Sequence, residues 1–159
     1  MMRVTVIAVG KLKEKYLRDG CDEYLKRLSA FAKAQVIEIA EEKTGDDPSL
    51  AEKQRVMEKE GQRILSKIPK GSYVIPLCIE GQQFESTALA DKIESISGEC
   101  SSITFVIGGS FGLSDEVKNA GKTKLSFGKM TLPHQLARMV LLEQIYRAFS
   151  IINNTKYHK

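Results

Sequence analysis

Apolar positions along the chain switch repeatedly between strand-like and helix-like spacing. The opening run MRVTVIAVG is β-rich and stops at Gly10, whereas EKYLRDGCDEYLKRLSAF sets Tyr16/Leu17, Cys21, Tyr24/Leu25 and Leu28 at helical intervals. Gly20 sits inside that helix at an intrinsic cost of about 1 kcal/mol relative to alanine. AQVIEIA predicts a second strand, and EEKTGDDP a polar loop. Ser49 and Glu52 have capping-box spacing ahead of the helix LAEKQRVMEKEGQRILSKI, which PKG closes. SYVIPLCIE predicts a strand with a turn at Gly81, STALADKIESIS a helix, and SSITFVI a strand running into Gly108 and Gly109. Ser114, Asp115 and Glu116 favour a helix start, because a cap and acidic groups suit its positive end. TKLSF predicts a last strand, GKMTLP a loop, and HQLARMVLLEQIYRAFSIIN a long helix with Pro133 in its first turn.

Strands separated by helices predict an α/β fold with a mainly parallel sheet and helices on both faces. Ligands in such folds sit at the carboxyl ends of strands. Three loops fall there: the one after Leu77–Ile79, Gly108–Gly112 and Phe127–Leu132. Pro76, just before the first, suits an edge or a bulge. The last helix carries one apolar stripe through Ala137, Leu141, Ile145, Ala148 and Ile152. It carries more apolar surface through Leu136, Met139, Val140, Tyr146 and Ile151. A helix apolar on two sides has two surfaces to bury, and a homodimer interface is the expected second one.

At 159 residues the chain fits one domain with a substantial core. No apolar run approaches the ~18–20 residues of a membrane span, so no membrane partner is expected. The first residues read better as a strand than as a secretory leader, since no small-residue cleavage site follows. Cys21, Cys78 and Cys100 are far apart and odd in number; they fit neither a disulfide framework nor metal ligation, and suit the cytoplasm.

Charge changes the picture. From Lys118 onward there are eight basic residues and one acid, Glu143, a net of +7 within a chain of +4 overall. A basic C-terminal segment on a near-neutral body suggests an anionic partner, with nucleic acid leading. Gly108, Gly109 and Gly112 match neither the dinucleotide fingerprint nor a phosphate loop; they suit a tight turn or close backbone approach to a ligand. The two histidines, His134 and His158, have no cysteine or carboxylate cluster to make a zinc site, and no nucleophile elbow is present. The terminal TKYHK offers an aromatic ring, an imidazole and two cations, suited to stacking on a base and neutralising phosphate; a frayed end is the alternative.

Taken together, VIGGSFGLS, LSFGKMTLPHQLARMVLLEQIYRAF, terminal YHK, AVGKLKEKY and KEGQRIL strongly resemble the ribosomal RNA large-subunit methyltransferase H family of the SPOUT superfamily. The resemblance spans essentially the whole chain. It implies a single domain over 1–159 with a C-terminal trefoil knot holding the cofactor within about 72–159. It further implies a homodimer that binds S-adenosylmethionine and methylates N3 of a pseudouridine in 23S ribosomal RNA, within the large subunit or whole ribosome. The family's cofactor positions fall on Leu77, Gly108, Phe127, Gly128, Lys129, Met130, Thr131 and Leu132. Arg147, Tyr157 and His158 are the expected catalytic residues; His158 is either the proton acceptor, because an imidazole ordinarily titrates near neutrality, or only an RNA contact with solvent taking the proton. Arg138, Lys156 and Lys159 are the expected RNA contacts. A non-catalytic RNA- or ribosome-binding module is the rival reading. A nucleotide-dependent hydrolase lacks its phosphate loop and nucleophile.

Overall fold

The computed structural model describes residues 1–159. Five strands and five helices alternate: β1 (Arg3–Val9), α1 (Lys15–Leu28), β2 (Lys33–Ile39), α2 (Leu50–Lys67), β3 (Tyr73–Gln83), α3 (Ser86–Ser97), β4 (Ser102–Ile107), α4 (Asp115–Asn119), β5 (Leu125–Ser126) and α5 (His134–Ile152). The strands form one parallel sheet in the order β2-β1-β4-β3-β5. Parallel strands are buried on both faces, which accounts for the continuous burial of β1 from Val4 onward and of all of β4. On one face α1, α3 and α5 bury Val4, Val6, Phe105, Leu141 and Ile145. On the other, α2 and α4 cover Ile7, Val9, Val106 and Val117.

Helix starts follow local chemistry. The Ser49 side chain accepts the Glu52 N–H at 3.1 Å, and Ser114 accepts that of Val117 at 3.3 Å. Pro133 occupies the cap of α5 rather than its first turn. Gly20 has a packing reason: a Cβ there would lie 2.3 Å from Met139 Sδ, where α1 and α5 meet. Its helix cost is offset by that close approach.

Two expectations need correction. Gly81 is not a turn; β3 runs through it to Gln83. A Cβ at Gly81 would sit 2.9 Å from Leu125 C and from the Lys124 carbonyl, so the glycine serves the close approach of β3 to the start of β5. The run TKLSF supplies only a two-residue strand, because β5 meets β3 across a register shift between Leu77 and Gln82. Pro76 fits this irregularity. It pairs with Val106 of β4 just before the β5 rungs begin, where its missing N–H breaks no ladder.

Within one subunit α5 packs against α1, α3 and β4. Ala137, Leu141, Ile145 and Ala148 are buried there, while Met139, Val140, Tyr146, Ile151 and Ile152 are only partly covered. No helix is long and apolar enough to cross a membrane.

Candidate functional site

The carboxyl ends of β3 and β4 open onto a cavity of about 300 Å³. Its walls come from Leu77–Glu80, which is part of β3 and not the loop expected there, from Ile107–Leu113 and from the segment Phe127 to Leu132, with His134 and Ala137 from the start of α5. Seven of the eight cofactor positions, Leu77, Gly108, Phe127, Gly128, Met130, Thr131 and Leu132, line it; Lys129 is exposed and does not.

Backbone geometry shapes this space. Gly112 N–H donates to Gly109 O at 3.1 Å, closing a tight turn that Gly112 completes at φ +86°. A Cβ on Gly108 would meet Gly112 C at 2.7 Å, so only glycine lets the loop fold back on itself. Gly128 sits at φ +117°, again outside the range of ordinary L residues. Ser126 fastens the third loop: its hydroxyl donates to Ile79 O at 2.8 Å and accepts Gly128 N–H at 3.0 Å. One buried hydroxyl therefore ties two cavity walls together.

Charges on the lining are few. Lys118 pairs with Glu80, which holds the Glu80 carboxyl below its usual range and lifts the Lys118 ammonium. Burial pushes the Cys78 thiol up, against a thiolate nucleophile. Ile79 and Met130 rim the opening with exposed apolar side chains. The cavity is mainly apolar, with backbone polar groups and no cluster of metal-binding side chains. That lining suits a flat heterocycle and an aliphatic chain better than a polyphosphate.

At the far end of α5 the terminal residues fold back instead of fraying. The Tyr157 ring packs edge-on against Tyr146, centroids 4.7 Å apart, and the Arg147 guanidinium lies 4.8 Å from the Tyr157 centroid. Arg147 Nε donates to Glu143 Oε1 at 2.8 Å, and Nη1 lies 3.1 Å from His158 Nδ1. Glu143 raises the Arg147 guanidinium's already high pKa, and burial pushes the Tyr157 phenol up. Lys156 and Lys159 remain exposed beside this cluster.

Arg138 requires a correction. It is only 3% exposed, with Nη1 on Glu38 Oε2 at 2.7 Å and Nη2 on Gly10 O at 3.0 Å. A guanidinium committed to a strand carboxylate and a backbone carbonyl inside the fold is not a surface contact for RNA.

A family model described as "Predicted SPOUT methyltransferase" matches residues 2–158. The chain belongs to that family. It is 55% identical over 99% of its length, and 100% of theirs, to proteins of Streptococcus pneumoniae strains CGSP14 and TIGR4 named ribosomal RNA large subunit methyltransferase H. Among solved structures, a "probable methylase family protein" from Haemophilus influenzae Rd KW20 aligns with TM-score 0.51 at 14% identity, covering 99% of this chain and 70% of that one. That likeness concerns the fold alone.

Several parts of this SPOUT methyltransferase's cavity escaped the sequence reading. The Glu80–Lys118 pair lines it, and Ser126 braces it from behind. Their partners lie far away in sequence, so no local pattern marks them. Gly128, two residues after Ser126, is the nearest local signal.

Proposed function

We propose that the protein is a homodimeric, cytoplasmic enzyme that methylates N3 of a pseudouridine in 23S ribosomal RNA on the assembled ribosome, with S-adenosylmethionine as donor. The observation carrying this reading is the glycine-walled apolar cavity at the carboxyl ends of β3 and β4. Membership of a methyltransferase family and the names of the S. pneumoniae relatives support it. Leu77, Gly108 and the Phe127–Leu132 segment would hold the adenosine and the chain attached to sulfur, chiefly through main-chain groups. Lys129 would act from outside, as a cation near the opening. When bound, the donor supplies a methyl group already activated by its sulfonium.

The protein's remaining task is to align the acceptor and accommodate charge. Loss of the N3 proton would leave an imide anion between two carbonyls, and the protein would have to hold that nitrogen in line with the sulfonium methyl. Arginine is only a donor, so the Arg147 contact makes His158 Nδ1 an acceptor and, in the neutral ring, leaves the proton on Nε2. In this arrangement His158 has no free lone pair to act as a base. We therefore assign it a donor role, Nε2–H to a uracil carbonyl, with solvent taking the proton. Tyr157 would stack on the target base, and Arg147, Lys156 and Lys159 would neutralise phosphate.

Ala137 at the cavity and Arg147 at the tail are ten residues apart on α5, about 15 Å of helix rise. One subunit's tail therefore lies far from its own cavity, and the reading requires the tail of a second copy to complete the site. The half-covered apolar residues of α5 supply surface for that dimer. A knot threaded through about 72–159 is part of the same proposal and rests on family membership.

The test is incubation with labelled S-adenosylmethionine and, separately, free 23S RNA, isolated large subunits and whole ribosomes, followed by nucleoside analysis. Labelled 3-methylpseudouridine from whole ribosomes is the expected product. Absence of label in all three substrates, with the methyl donor still bound, would favour the non-catalytic module.

A further inference from the structure

The motif KEGQRIL lies outside the cavity, yet its first turn presses on the cavity from behind. Glu60 in α2 is only 4% exposed, which is unusual for a carboxyl group without a basic partner. Its Oε2 accepts the Glu42 N–H at 3.0 Å, and no salt bridge involves it. The same carboxyl lies against the glycine loop: a Cβ on Gly109 would be 3.2 Å from Glu60 Oε1 and 3.0 Å from Val9 Cγ1. One residue later, a Cβ on Gly61 would fall 2.5 Å from the Ser114 hydroxyl that caps α4. Two consecutive residues of α2 thus meet the glycine loop and the helix start that follows it.

We propose that Glu60 is a positioning residue for the methyl-donor cavity, holding Gly108–Gly112 in its closed turn and tying it to the segment after β2. This rests on the methyltransferase reading above. Glu60 itself touches no ligand, because Gly109 stands between it and the cavity. Its contact fixes where the Gly108 and Gly109 main chain can lie, and hence the shape of the wall facing the donor. Glu41, Glu42 and Arg63 are the charged groups facing it. Burial raises the Glu60 carboxyl's pKa, in keeping with a group that works by shape and hydrogen bonding rather than by charge. Gln should therefore replace Glu60, since its amide oxygen can accept the same Glu42 N–H in the same volume. Ala should not, because it empties the space behind Gly109 and leaves that N–H unpaired.

The experiment measures the dissociation constant of S-adenosylhomocysteine and that of ribosomes for the wild type, Glu60→Gln, Glu60→Ala and Glu60→Asp. We expect Glu60→Ala to weaken S-adenosylhomocysteine binding about tenfold or more. Glu60→Gln should stay within about threefold of wild type, and ribosome affinity should hold in every variant. Should Glu60→Ala fail to fold, Glu60→Asp carries the test: it keeps the acid but withdraws it by one methylene, and it should weaken the same constant. A folded Ala or Asp variant with unaltered S-adenosylhomocysteine affinity overturns the proposal, as does a loss confined to ribosome binding. If the wild type itself does not bind S-adenosylhomocysteine, the cofactor reading fails instead, and the two failures are thereby told apart.

Discussion

The two ends of α5 carry opposite kinds of chemistry. At its start the cavity is built from backbone: Gly108, Gly112 and Gly128 provide conformations and clearances that no other residue could adopt. At its finish the cluster of Glu143, Arg147, Tyr157 and His158 is built from side chains held by one another. A main-chain site is set by the fold and tolerates little, whereas a side-chain site hangs on a few contacts and can be removed without disturbing the core. The difference predicts that each end can be disabled alone.

Deleting 157–159 should have the largest effect, lowering ribosome methylation on the order of a hundredfold by loss of acceptor alignment. S-adenosylhomocysteine affinity should be unchanged. The deletion forfeits the Tyr146–Tyr157 ring pair, worth about 1 kcal/mol, so the melting temperature should fall by only ~2–4 °C. Gly108→Ala should do the converse. It removes donor binding because its Cβ strikes the Gly112 backbone, while ribosome affinity persists.

Mixing these two inactive proteins tests whether the ends meet across a dimer. Half of the dimers formed at equal concentration pair one subunit of each kind, and one of their two sites joins an intact cavity to an intact tail. Activity should recover to about a quarter of wild type if subunits exchange fully. No recovery despite proven exchange would mean that each cavity is served by its own tail, which would contradict the separation along α5.

How far the sequence reveals each end follows from the same contrast. The alternating periods of β1 and α1 and the runs into Gly108 and Gly128 are local signals, so the parallel fold and the cavity loops are legible. Gly81 misleads because glycine marks both turns and close backbone approaches, and only the three-dimensional path distinguishes them. Arg138 misleads in another way. A cation beside apolar neighbours on a basic helix reads as surface, and its partner Glu38 lies 100 positions away in the chain. The tail's residues are legible, but the Arg147–His158 contact, on which the proposed donor role of His158 rests, is not.

That contact yields a smaller effect. His158→Gln keeps a donor and should retain roughly a tenth or more of wild-type methylation, whereas His158→Ala should fall further. The rate should not gain the steep rise with pH expected when a general base is replaced by solvent. Single-turnover rates on whole ribosomes between pH 6 and pH 9 provide the measurement. Equal collapse of the Gln and Ala variants would return His158 to the role of base.

The smallest effect distinguishes three cations that sequence alone treats alike. Lys159 is exposed beside the tail cluster, Lys129 is exposed near the cavity opening, and Arg138 is buried on Glu38. If Lys159 neutralises one phosphate, Lys159→Ala should reduce the slope of log affinity against log salt by about 0.7–0.9 and weaken ribosome binding modestly. Lys129→Ala should do the same only if RNA covers the cavity mouth during binding. Arg138→Met should leave the slope untouched, since a buried guanidinium releases no counterion. It should instead destabilise the fold by about 1–3 kcal/mol through the Gly10 carbonyl left without its donor, since Glu38 is 39% exposed and is solvated by water. Filter binding at several salt concentrations, paired with thermal melts, separates the outcomes. A changed slope for Arg138→Met in a fully folded protein would place that guanidinium at the RNA surface after all.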